Sequence, residues 1–112
     1  GKTDEKGNRE VRLVSWEALP RINVGAPFTW KSGTWYRMKL SVSVGEKDAV
    51  VRCKVWEKGK EEPANWTIEF TDPLPNRNGS AGLYGYITNA EPENPGSEIR
   101  FGNVEIKPNA KK

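Results

Sequence analysis

Trp35-Tyr36-Arg37-Met38-Lys39-Leu40-Ser41-Val42-Ser43-Val44 is the stretch that decides the fold of this 112-residue chain. Tyr36, Met38, Leu40, Val42 and Val44 fall on one side of an extended backbone, and Arg37, Lys39, Ser41 and Ser43 on the other. Such period-2 alternation marks a strand with one apolar face. Gly45-Glu46-Lys47-Asp48 then supplies a turn. Ala49 to Trp56 resumes the alternation, with Val51, Cys53 and Val55 opposed to Arg52 and Lys54, so the two segments form an antiparallel hairpin.

Working outward, Trp66 to Asp72 alternates again, with Trp66, Ile68 and Phe70 inward and Thr67, Glu69 and Thr71 outward; Glu69 then pairs across strands with Lys54 or Arg52. Gly82 to Thr88 and Glu98 to Ile106 read as further strands, and Glu10 to Trp16 as a weaker one. In Glu98 to Ile106 the apolar parity changes between Phe101 and Val104, which predicts a β-bulge near Gly102-Asn103. Apolar residues nowhere recur at helical spacing over three turns, and the eight prolines and eleven glycines cluster between the strands. Six or seven short strands so connected predict an all-β, antiparallel β-sandwich over residues 10–106, with a flexible leader at 1–9 and a flexible tail at 107–112.

Composition removes several function classes. The chain has no histidine and one cysteine, so it lacks Ser-His-Asp and Cys-His catalysis, histidine metal ligation and disulfides. Cys53 shares its face with Val51 and Val55 and reads as a small buried apolar residue. No apolar run is long enough for a membrane span. The net charge of +3 comes from the ends: Lys2, Lys6, Arg9, Lys107, Lys111 and Lys112 lie there with only Asp4 and Glu5. Residues 10–106 keep 12 basic against 13 acidic side chains, so no nucleic-acid partner is expected. Pattern alone assigns no more than an all-β soluble domain.

Trp35-Tyr36-Arg37-Met38-Lys39-Leu40 resembles a strand of laminin-G-like or concanavalin-A-like jelly-roll domains. Lys54 to Gly59 followed by Glu61 to Trp66 is similar to a segment of bacterial members, Ser80 to Tyr86 to another of their strands, and Ile99 to Val104 to their closing strand. The resemblance covers about residues 10–106 in motif order. It implies a jelly roll, and since complete domains of that type run to roughly 200 residues, a partial or truncated one corresponding to the C-terminal part. It further implies an accessory module beside a β-propeller or a carbohydrate-active enzyme, in a periplasmic or secreted location. Gly102 stands where the closing strand usually has an aspartate that helps hold a structural calcium. Glycine supplies no carboxylate oxygen, so no cofactor is expected.

Glycoside hydrolysis, the reaction the resemblance brings to mind, needs two carboxylates across the sugar. No Glu-x-Asp-x-Glu run occurs, and Glu69 and Asp72 at a spacing of three point to opposite faces of a strand. Catalysis is therefore not expected; a remnant of a hydrolase is the weakest of the readings. Carbohydrate binding needs aromatic platforms flanked by polar groups. Trp56, Arg52 and Lys54, which share a parity, and the stripe of Tyr84 and Tyr86 are the candidate ligand-binding residues; Trp16, Trp30, Trp35 and Trp66 read as structural. The expected function is a non-catalytic accessory module that binds polysaccharide. The alternative is a structural module whose aromatic residues pack against a neighbouring domain or a complementary chain, with oligomers if the sandwich is incomplete.

Overall fold

The computed structural model describes residues 2–3, 8–15, 22–80, 82 and 100–109. The chain divides into two compact units, Gly1–Arg77 and Asn78–Lys112. The described residues contain no helix. The first unit holds two antiparallel sheets: β1 (Lys2–Thr3), β2 (Arg9–Val14) and β3 (Asn23–Pro27) in that order, and β4 (Tyr36–Val44), β5 (Ala49–Glu57) and β6 (Ile68–Asp72) in that order. β1 lies within the stretch read as a leader, its two residues opposite Glu10 and Arg9.

The expected hairpin is β4–β5, paired from Tyr36↔Glu57 to Val44↔Ala49. Gly45 N–H donates to the Asp48 carbonyl at 2.7 Å and closes the turn. Arg77 then places its two terminal nitrogens on the Gly45 and Glu46 carbonyls, at 2.9 and 2.7 Å. The planar guanidinium thus ties the outgoing chain to the hairpin tip.

Pairing fixes which side chains share a face. Leu40, Cys53 and Ile68 lie abreast on the apolar face, with Val42, Val51 and Phe70 beside them. From the other sheet β2 and β3 contribute Val11, Leu13, Val24 and Ala26. Val11, Cys53, Val55 and Ile68 form the buried cluster, with Leu13, Val24, Ala26, Phe28 and Tyr36 packed on it. The cluster sits over β5 and β6. Along β4 the same apolar face is exposed, Met38 at 66% and Leu40 at 61%, with Val42 and Val44 next to them.

Three expectations change, and one strand appears that the apolar pattern does not mark. β3 is a strand although Gly25 and Pro27 interrupt its apolar residues; Pro27 stands at its end, where a missing N–H is tolerated. A Cβ at Gly25 would come within 2.8 Å of the Arg12 guanidinium, so glycine leaves the room through which Arg12 reaches Asn23 Oδ1. Trp66 does not follow Ile68 inward. Val55 N–H donates to Thr67 Oγ1 at 3.2 Å, so a side chain replaces the next ladder bond, the alternation ends, and Trp66 lies against Lys54 on the opposite face. Lys54, expected on an open polar face, is buried. In the second unit, residues 100–109 carry no strand; Asn103 adopts φ 52°, a left-handed conformation that ends an extended run, so no ladder is there for a bulge to interrupt. Trp16, Tyr84, Tyr86 and residues 83–88 of the expected strand lie outside the described residues.

The uneven cover of the apolar face predicts uneven costs. Ile68→Ala should lower the unfolding free energy by about 2–5 kcal/mol, whereas Leu40→Ala should change it by no more than about 0.5 kcal/mol. Urea denaturation followed by tryptophan fluorescence measures both, and equal losses would refute this account of the packing.

Candidate functional site

The polar face of the β4–β5–β6 sheet brings together Arg37, Lys39, Arg52 and Lys54. Arg37 stands opposite Trp56, Lys39 opposite Lys54, and Ser41 opposite Arg52, which in turn faces Glu69. Directly opposite residues share a face, so these side chains form one surface. Arg52 Nε donates to Glu69 Oε2 at 2.8 Å. Both side chains remain well exposed, which limits the pair to about 0.2–1 kcal/mol.

Lys54 is handled differently. The strap of residues 58–66, between β5 and β6, begins at a tight turn where Gly59 takes φ 92°, a conformation that costs glycine little. Lys60 N–H donates to the Glu57 carbonyl there at 3.1 Å. The strap then meets the polar face at Lys54. Its ammonium donates to the Pro63 carbonyl and to Glu62 Oε2, each at 2.9 Å, and lies 4.7 Å from the centre of the Trp66 ring. With 5% exposure, it is a buried charge whose cost is offset by a carboxylate, a carbonyl and a π-face together. Lys39 Nζ lies 3.6 Å from the same Glu62 oxygen. The hydrogen bond from Lys54, with the nearby Lys39 charge, holds the Glu62 carboxyl below its ordinary value of 4.5.

At the open end of the hairpin the pairing continues one step past the ladder, with Lys58 N–H donating to the Trp35 carbonyl at 2.9 Å. The pleat alternation therefore sets Trp35 on the side of Arg37 and Trp56. Trp35 is 51% exposed and Trp56 is half-buried. Trp35, expected from the sequence to be structural, is thus not among the structural tryptophans; its parity with Arg37 is the signal that marks it otherwise. Of the five expected ligand-binding residues, the structure brings Trp56, Arg52 and Lys54 to one face, and Tyr84 and Tyr86 lie outside the described residues.

Two further reactive groups of the first unit, Asp72 and Cys53, are enclosed. Asp72, on the opposite face from Glu69, is buried and accepts from Leu74 N–H at 2.9 Å. Cys53 is buried in the apolar cluster, and burial pushes its thiol up from the ordinary value. The described residues contain no group of three or more histidine, cysteine, aspartate or glutamate side chains placed to hold a metal ion.

Two outcomes follow from this geometry. Lys54→Met should lower stability by about 1–3 kcal/mol, the range for losing charged hydrogen bonds, and should speed amide exchange in the strap more than in β2 and β3, as hydrogen-exchange mass spectrometry reads. Because the folded state depresses Glu62, its contribution is present above pH 4.5 and is lost as pH falls through the lower folded value. The acid side of a pH–stability profile should therefore flatten in Glu62→Gln, and an unchanged profile would count against the Lys54–Glu62 bond.

No protein-family model, curated protein or solved structure matches the chain.

Proposed function

We propose that this chain is a non-catalytic accessory module of carbohydrate-binding type, built as a partial jelly-roll sandwich. The observation that carries the reading is the open end of the polar sheet face, where two indoles, Trp35 and Trp56, flank Arg37 on paired strands. Sugar rings offer axial C–H groups to a π-face and hydroxyls to a neighbouring cation, so an aromatic pair on a rigid hairpin with a guanidinium between is a suitable platform. The jelly-roll reading is supported by an apolar cluster to which both sheets contribute and by the resemblance of Trp35 to Leu40 and of Lys54 to Trp66 to strands of that superfamily. The same resemblance supports a bacterial, extracytoplasmic setting beside a larger unit.

The exposed row along β4 favours a second reading. Met38, Leu40, Val42 and Val44 present a continuous apolar strip, and such strips mark contact surfaces. In that case the module is structural and the strip packs against a neighbouring domain.

Calorimetric titration with a panel of soluble polysaccharides separates the two. Carbohydrate binding that Trp35→Ala or Trp56→Ala weakens about tenfold, equivalent to about 1.4 kcal/mol, is the expected result. Absence of binding to every glycan, with concentration-dependent oligomers in light scattering that Leu40→Ser abolishes, would replace it with the second reading.

A further inference from the structure

Lys39 and Lys54 stand directly opposite each other on β4 and β5. Like charges so placed repel and weaken the pairing. The sheet tolerates the pair because one carboxylate oxygen, Glu62 Oε2, lies 2.9 Å from Lys54 Nζ and 3.6 Å from Lys39 Nζ. Arg52, the next cation along the face, receives its carboxylate from Glu69 within the sheet. The carboxylate between the two lysines comes instead from a connecting strap and is 46% exposed. A group supplied by a loop is removable without breaking the ladder.

We propose that the Lys39–Lys54 pair is a carboxylate-binding subsite, that Glu62 fills it as an internal competitor, and that the ligand which displaces Glu62 is a uronate-bearing polysaccharide. This inference rests on the carbohydrate-binding reading and adds to it the charge of the ligand. The platform of Trp35, Arg37 and Trp56 lies one pair step along the same face from Lys39 and Lys54. Successive side chains on one face of a strand are about 6.6 Å apart. A sugar ring on the platform therefore brings the carboxylate of a neighbouring ring within reach of Lys39. Lys54 is pre-positioned by Pro63 and Trp66 and keeps both contacts when the carboxylate is exchanged. The strap lowers the apparent affinity by the fraction of time Glu62 leaves the pair open.

The test uses polygalacturonate and its fully methyl-esterified form, which have the same backbone with and without the charge. Titration of the intact chain, Glu62→Gln, Lys39→Gln and Lys47→Gln reads the affinities. Glu62→Gln should bind polygalacturonate about tenfold more tightly and the ester unchanged. Lys39→Gln, at a half-exposed position, should weaken polygalacturonate several-fold, and Lys47→Gln, at the remote hairpin turn, should not. Equal losses in Lys39→Gln and Lys47→Gln would mean unspecific charge attraction and overturn the proposal, as would no gain in Glu62→Gln. If neutral glycans bind in a Trp35- and Trp56-dependent way while neither Glu62→Gln nor Lys39→Gln alters polygalacturonate binding, the subsite is refuted and the carbohydrate reading stands. If no form binds any glycan, both fall.

Discussion

The nine residue pairs from Tyr36↔Glu57 to Val44↔Ala49 are the constraint on which the first unit depends. A slip of one residue would carry Cys53 and Val55 to the polar side and Lys54 into the apolar cluster, since successive side chains alternate between faces. The short turn at Gly45 to Asp48 prevents it. Its closing hydrogen bond and the two bonds from Arg77 hold that register, which sets Trp56 beside Arg37 and Lys54 beside Lys39.

β5 is consequently enclosed on both faces. On one side Cys53 and Val55 meet residues of β2 and β3; on the other the strap closes over Lys54. The two coverings differ in kind. Apolar packing is non-directional and scales with area, so it holds the sheets together without specifying fine geometry. The strap is held by a charged, directional set of contacts at a single ammonium, and one of them, the bond to Glu62, depends on that carboxyl being ionised. Stability of the core and placement of the strap therefore respond to different conditions, the first to volume changes in the cluster and the second to pH and salt.

β4 is the asymmetric member. Its polar face carries the cations of the candidate site, while its apolar face is exposed from Met38 to Val44. One strand thus carries charge on one face and an open apolar strip on the other, because the second sheet covers β5 and β6 and leaves β4 uncovered from Met38 onward.

Much of this was legible in the sequence. Strict alternation in Trp35 to Val44 and Ala49 to Trp56 determined the hairpin, its two faces and the all-β class, because period 2 follows from backbone geometry alone. The same parity marked Cys53 as buried and narrowed the partner of Glu69 to Lys54 or Arg52, between which the β5–β6 register chooses Arg52. β3 was obscured by Gly25 and Pro27, whose tolerance depends on Arg12 across the sheet and on the strand's end. Only tertiary structure decided that Trp66 turns to the polar face, that Lys54 is buried among Glu62, Pro63 and Trp66, that Trp35 lies exposed beside Arg37, and that the apolar row of β4 is left open. Alternation says which residues share a face and nothing about what covers that face. The cover comes from loops and from the second sheet, whose positions are set by contacts distant in sequence.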